Sequence, residues 1–272
     1  MVVTDRQIEE WLREDIGHHD VTNDVPGETT GRLVATESGI SAGIEAAVAV
    51  FEYLGVDVSD AAEAGDRIEI GDVVLAAEGP ARAVLRGERT AVNVAGHASG
   101  VATRTRAAVE AARAESGAVR IAATRKTTPG LRGVEKRAVA AGGGDTHRLD
   151  LSHMVMVKDN HVAEMGLEDA IAHFRERVSF TTKIEAEVDH PEDAPRAARA
   201  GADIVLLDNM DPETTESAVE ALRADHPHVL AEASGGITVA DVPDYAATGV
   251  DVISMGGLTH SAPALDLSFR TD

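Results

Sequence analysis

Between Gly43 and Leu54 (GIEAAVAVFEYL), apolar side chains at Ile44, Val48, Phe51 and Leu54 recur at spacings of four and three, which predicts an amphipathic helix. A shorter helix is predicted over residues 4–14 from Ile8, Trp11 and Leu12, with EDIGHHDVTND behind it as a loop. Short runs at Leu33–Thr36, Arg67–Ile70, Val73–Ala77 and Arg82–Leu85 are punctuated by Gly, Pro and Asp and predict strands. A long Ala-rich stretch, Glu88–Glu115, predicts a helix with Glu88 near the positive end of its dipole. Along it His97 and Ser99 are expected to close polar contacts between domains.

From Ile121 the rhythm changes. Strands are predicted at Ile121–Ala123, Val155–Val157, Ile184–Val188, Ile204–Leu207, Val229–Glu232 and Val252–Ser254, and helices at Ala194–Ala200, Glu213–Ala224 and Asp241–Ala247 separate the later ones. Strands alternating with helices imply a parallel sheet, here wound into a barrel that six strands leave incomplete. The expected fold is thus a small N-terminal α+β, sandwich-like domain over residues 1–106 and a parallel α/β barrel over 107–261. No repeat of 20–50 residues and no low-complexity linker interrupts the 272-residue chain.

Composition narrows the chemistry. With no cysteine, thiolate nucleophiles, disulfides and Cys-based zinc sites are excluded. No apolar run approaches the ~20 residues of a membrane span, and the charged, amphipathic start is unlike a signal peptide, so a cytoplasmic protein is expected. The net charge of −22 disfavours nucleic acid as a partner. Only four of the 25 Lys and Arg residues are lysine, and such a lysine-poor acidic surface suits high salt, where self-repulsion is screened.

Against that charge, Arg120–His161 is a basic island, with eight Lys or Arg against four acids. Barrel sites lie at the C-terminal ends of strands, and the distinctive residues fall there. Thr124-Arg125-Lys126 follows the first strand and Lys158-Asp159-Asn160-His161 the second. Glu187 ends the third, Asp208-Asn209 the fourth, Ser234-Gly235-Gly236 the fifth and Gly256-Gly257 the sixth. Arg125, Lys126, His147, Arg148 and Lys158 offer donors to carboxylate or phosphate oxygens. The two glycine loops let backbone N–H groups approach a phosphate, and Glu187 and Asp208 suit sugar hydroxyls or Mg²⁺. Ion pairing with the rim cations is the plainer role for those two acids. The spacing of His147, His153 and His161 matches no zinc-protease arrangement, and adjacent His18 and His19 do not converge on an ion, so no protein-only metal site is expected.

TRKTTPGLR at Thr124–Arg132, the glycine turn before His147-Arg148, and KDNH closely resemble the core of the quinolinate phosphoribosyltransferase family. ERTAVNVAGHASGVATRT (Glu88–Thr105), EAEVDHPEDA (Glu185–Ala194), AGADIVLLDNM (Ala200–Met210), ASGGI (Ala233–Ile237) and the stretch Gly249–Phe269 continue the match in the family's order, over nearly the whole chain. The halophile-type composition is a feature of this chain within that resemblance. His19 departs from it, standing where relatives usually carry glycine in EDxGxGDxT.

The resemblance implies transfer of phosphoribosyl from phosphoribosyl pyrophosphate to quinolinate, giving nicotinate mononucleotide, pyrophosphate and CO₂ in NAD biosynthesis. It implies that Arg89, Arg125, His147, Arg148 and Lys158 surround quinolinate, with Lys126 near the phosphates and Mg²⁺ arriving with the diphosphate, near Glu187 and Asp208. It places Lys126, Lys158, Glu187 and Asp208 at the chemistry, and Ser234, Gly235, Gly236, Gly256 and Gly257 at the substrates. It also implies a homodimer, or a higher assembly, in which Arg89 comes from the partner subunit, and a C-terminal segment, 262–272, that returns to the first domain. The alternatives are a phosphoribosyltransferase for nicotinate or another acceptor, including a molybdenum-associated relative, a barrel lyase with Lys158 as Schiff-base lysine, and a catalytically dead binding subunit.

Overall fold

The computed structural model describes residues 3–271. In chain order the elements are α1 (Asp5–Ile16), β1 (Glu28–Ala35), β2 (Gly39–Ile40), α2 (Ile44–Tyr53), β3 (Asp57–Ala61), β4 (Arg67–Ile68), β5 (Val73–Pro80) and α3 (Ala81–Glu115). Then follow β6 (Arg120–Ala123), α4 (Arg132–Ala141), β7 (Val155–Val157), α5 (Asp159–Met165), α6 (Leu167–Arg175), β8 (Ile184–Val188) and α7 (Asp193–Ala200). The chain closes with β9 (Ile204–Asp208), α8 (Pro212–Asp225), β10 (Leu230–Ser234), α9 (Val242–Ala246), β11 (Val252–Met255), α10 (Gly257–His260) and β12 (Leu267–Thr271).

Two compact units result. The first comprises residues 1–106, 127–143 and 258–272, and the second residues 107–126 and 144–257. In the first, an antiparallel sheet of order β12-β1-β5-β3 carries α2 and the early turns of α3 on one face. Leu33, Leu75 and Ala77 of the sheet pack on Phe51 of α2, on Val84, Ala91 and Ala95 of α3, and on Leu265. That two-layer arrangement is the α+β sandwich expected, and β12 pairs along β1 from Gly31↔Thr271 to Ala35↔Leu267.

Four local expectations are corrected. Arg82–Leu85 is not a strand but the first turn of α3, because Ala81 and Val84 begin the three- and four-residue spacing that Ala91, Ala95, Ala98 and Ala102 continue. Glu88 consequently lies two turns inside the helix rather than at its positive end. α1 runs on to Ile16 and stops at Gly17, whose φ of 63° leaves the helical region. His97 and Ser99 make their polar contacts within the first unit. The Ser99 hydroxyl donates to Ala42 O and accepts from Ala42 N, both at 3.1 Å, while His97 Nε2 lies 3.0 Å from buried Glu135 on α4. Residues 127–143 fold with that unit, which is why a contact of the long helix with α4 stays inside it.

The loop after α1 is organised by Asp20, which accepts from Thr22 N and Asn23 N and pairs with Arg86 at 3.0 Å. Those partners hold its carboxyl far below the usual carboxylate range, with the Asn23 N–H first among the causes.

The second unit is a six-stranded parallel sheet of order β6-β11-β10-β9-β8-β7. Sequential strands are neighbours and the last returns to the first, as in an α/β barrel, so the ladder is open only between β6 and β7. At that seam a single bridge joins Ala122 to Asp145. Five of the six predicted strands lie within a residue of their sequence positions; β10 is shifted and ends on Ser234, which brings Glu232 into its interior.

Candidate active site

The parallel register stacks side chains in layers on the inward face. Glu187 of β8 and Glu232 of β10 are both level with Leu206 of β9, and Ser234 is level with Asp208 one layer nearer the strands' C-terminal ends. Glu185 lies one layer deeper, level with Ile204. Side chains alternate along a strand, so Glu185 and Glu187 share one face, as do Glu232 and Ser234. Above them opens a cavity of about 320 Å³. It is lined by Arg125, Lys126, His147, Arg148, Lys158, Glu187, Asp208, Glu232 and Ser234, with Thr124, Met156, Leu206 and Ser254 between them. Nine predicted or newly visible polar groups thus meet on one rim, all within the second unit.

Lys158 caps α5, whose His161 Nδ1 accepts the Lys158 backbone N–H at 3.0 Å. KDNH is therefore the cap and first turn of a helix, and His161 fixes where the lysine departs. The Lys158 ammonium meets Glu187 Oε2 at 2.5 Å. Asp208's carboxyl is pushed up by burial first and by Glu187 and Asp189 next, which Lys158 and Lys126 offset only in part. Asn209 donates to Asp208 Oδ2 at 2.5 Å and stands at φ 55°, and its N–H reaches Ser234 O at 3.0 Å. Gly235 follows at φ +100°, where a Cβ would come 2.4 Å from Asn209 Oδ1. Only glycine fits this turn.

Arg148 is buried, with 7% of its surface exposed. Burial lowers its pKa, chiefly by desolvation, against the pull of Glu185, Glu187 and Glu232. One of its terminal nitrogens lies 2.9 Å from Met156 Sδ. Below it are two carboxylates that the strand pattern had not singled out, Glu185 and Glu232, at 0% and 1% exposure. His147 Nε2 lies 3.2 Å from Glu232 Oε2 and 3.5 Å from Glu185 Oε2. Burial, then Glu232, pushes Glu185's pKa up to about 8. The alternation EAEV and AEAS was the available signal for both residues.

Other predicted residues lie apart from this cavity lining. Gly235 and Gly236 stand in the loop after β10, Gly256 in the turn after β11, and Gly257 begins α10. Arg89 belongs to the first unit, on α3, with an exposed side chain 3.5 Å from Glu88. His153 accepts from Leu149 N and does not join His147. Among the described residues, the histidine and carboxylates close enough to share an ion are His147, Glu185 and Glu232. A cavity of about 560 Å³ in the first unit is larger, but its lining includes Glu10, Glu14 and Asp15 and no lysine or arginine, so it does not suit an anion.

Two family models match the chain: quinolinate phosphoribosyl transferase, N-terminal domain, over residues 19–99, and its C-terminal domain over 101–270. The chain belongs to the quinolinate phosphoribosyl transferase family. Within that family it is 47% identical over 270 residues to a probable carboxylating nicotinate-nucleotide pyrophosphorylase of Methanothermobacter thermautotrophicus, covering 97% of each chain. It is 42% identical over 266 residues to the human carboxylating nicotinate-nucleotide pyrophosphorylase, covering 97% of this chain and 90% of that one. The crystal structure of NadC from Streptococcus pyogenes superposes with a TM-score of 0.91 at 37% identity, covering 99% and 98% of the two chains.

Proposed function

We propose that this protein transfers the phosphoribosyl group of phosphoribosyl pyrophosphate to the ring nitrogen of quinolinate, releasing pyrophosphate, CO₂ and nicotinate mononucleotide. The observation that carries this reading is the division of one cavity into a wall of cations and a pair of acids. Arg125, His147, Arg148 and Lys158 line it with Lys126, while Glu187 and Asp208 stand at strand ends. A dicarboxylate needs several donors in one pocket, and guanidinium and ammonium groups bind carboxylate oxygens with charge-assisted hydrogen bonds.

In the reaction, the N–C1′ bond forms as the C1′–pyrophosphate oxygen bond breaks, and positive charge develops on the ribose. Glu187 and Asp208 hold the ribose hydroxyls and stabilise that charge. Lys126 faces the phosphates, and the Gly235–Gly236 and Gly256–Gly257 turns offer backbone N–H groups to them. When CO₂ leaves from the carbon beside the ring nitrogen, the pyridinium accepts the electron pair and a proton takes its place. No protein nucleophile is needed.

Mg²⁺ fits this site, since burial and the carboxylates of Glu187 and Asp189 leave Asp208 under-compensated. Glu187 and Asp208 are the side chains that would face it, and it supplies charge neutralisation to the diphosphate leaving group. The active assembly is a homodimer in which Arg89 of one subunit completes the partner's site.

The test is turnover by purified protein in concentrated KCl with Mg²⁺ and phosphoribosyl pyrophosphate, with quinolinate or nicotinate as acceptor. Nicotinate mononucleotide and CO₂ from quinolinate alone support the assignment. Turnover of nicotinate alone would move the substrate, and a folded protein active on neither would refute the reaction.

A further inference from the structure

Arginine and lysine explain a carboxylate-binding wall without help, so the two buried glutamates beneath that wall require a reason of their own. A barrel interior is ordinarily filled by branched apolar side chains, and an ionised carboxylate buried there is costly unless a partner compensates it. Here the partner is His147, 3.2 Å from Glu232 Oε2 and 3.5 Å from Glu185 Oε2. Its backbone is equally constrained. His147 adopts φ 51°, and its N–H donates to Asp145 Oδ1 at 2.7 Å. Its ring lines the cavity, as does Glu232.

We propose that Glu232, backed by Glu185, is a positioning residue that holds the His147 ring in place and keeps it an imidazolium, so that the cavity wall presents a fixed positive charge to one carboxylate of the acceptor. This deepens the reading of the site as one for a dicarboxylate. The charges facing the ring divide in two. Glu232 on β10, Glu187 on β8 and Asp145 beside it favour its protonation, and Glu185 adds to them only as it ionises; Arg125, Arg148 and Lys158, which share the cavity wall, oppose it. The carboxylate of Glu232 is nearest to Nε2 and is removed from water, where a charge–charge contact is least screened, while burial keeps Glu185 largely protonated below about pH 8. Among the contacts of the described residues, His147 is the cation at hydrogen-bond distance from Glu232, and a neutral ring would remove that charge. The three side chains could instead share a metal ion, but the 3.2 Å separation is already that of a hydrogen bond.

The decisive measurement is the ¹H–¹⁵N correlation of histidine side chains, with the His147 signals assigned by their loss in His147→Gln. At about pH 8, well above the ordinary imidazole value of about 6.5, both ring nitrogens of His147 should be protonated in the wild type. In Glu232→Gln they should show a neutral tautomer. A neutral His147 in the wild type at that pH, or a stoichiometric metal held by the purified protein and lost in Glu232→Gln, would overturn the proposal.

Kinetics supplies the functional half. Glu232→Gln and His147→Gln should each raise the quinolinate KM about tenfold or more, the scale of one charge-assisted hydrogen bond, with kcat much less affected. The double variant should be no worse than either single one, because both remove the same interaction. Additive losses, or a fall in kcat at constant KM, would refute the positioning role. The spectroscopic test needs no substrate, so absence of wild-type turnover would count against phosphoribosyl transfer alone. It also needs no variant at Glu232, so a misfolded Glu232→Gln leaves the wild-type result decisive.

Discussion

Replacing Glu185 by glutamine should make the protein increasingly more stable than the wild type as pH rises. Burial first, and Glu232 second, push the Glu185 pKa up to about 8 from an ordinary 4.5, while His147, Arg148 and Lys158 pull the other way. Between those values the folded chain keeps a proton that the unfolded chain has released. Stability therefore falls with pH across this window, by about 1.4 kcal/mol per unit, and levels off above it. Glutamine does not titrate, so the variant lacks this slope. Over two pH units the difference grows by up to roughly 3 kcal/mol, several degrees in Tm for a chain of this size. Thermal unfolding followed by circular dichroism at about pH 5.5, 6.5 and 7.5, with one scan rate and one salt concentration, reads it directly. A Tm difference between variant and wild type that stays constant with pH would refute the reasoning, whatever its sign.

Four further outcomes are expected. Lys158→Ala should lower turnover at least about a hundredfold with its circular dichroism unchanged, whereas Arg148→Ala should lose both turnover and Tm, since it removes a buried cation from beside Glu185; an active Lys158→Ala would exclude the assigned role. Mixing Arg89→Ala with Lys158→Ala should restore about a quarter of wild-type turnover, because half the random dimers carry one intact site of two; no recovery would argue against a shared site. Gly235→Ala should raise the KM for phosphoribosyl pyrophosphate and cost roughly 1–3 kcal/mol, as φ +100° and Asn209 oppose a Cβ; unchanged values in denaturant and kinetic titrations would contradict it. With a net charge of −22, Tm should rise as KCl goes from about 0.1 to 1 M and the screening length shrinks from about 10 to 3 Å; a flat Tm would contradict the reading of the surface.

How far the sequence reveals this fold depends on the reach of each signal. Val155–Val157 and Ile184–Val188 emerge with the bounds the pattern implies, because a buried parallel strand is a short apolar run closed by turn residues. Arg82–Leu85 misleads because four residues cannot distinguish alternation from a helical turn; the period is legible only when Ala81 and Val84 are joined to Ala91 and Ala95. β3, Asp57–Ala61, carries three exposed residues after its first two and no apolar run, so it forms through pairing with β5 rather than through its own pattern. Residues 127–143 join the first unit through contacts such as Glu135 with His97 and the Gly130 carbonyl with the Gln7 amide, whose partners lie far apart in the chain.

The site shows the same division more sharply. Arg125, Lys126, Lys158, Glu187, Asp208 and Ser234 were legible because each follows or ends a strand, and parallel strands bring their C-terminal ends together whatever the sequence distance, whereas His147 and Arg148, in the loop before β7, were legible only from their donor chemistry and the family resemblance. Glu185 and Glu232 were not, because an acid inside an apolar strand has no meaning until the cation it faces is known, and His147 reaches them from a loop across the barrel seam. The consequence is chemical. Lys158 already holds Glu187 at 2.5 Å, so in the proposed reaction a dicarboxylate would have to draw the ammonium away from that acid, which would leave Glu187 to a sugar that is becoming positive. The His147 charge is backed from below by Glu232 and needs no such exchange. On the proposed reading one cation of the wall is fixed and the other is traded, and acceptor binding itself would prepare the carboxylate that stabilises the ribose.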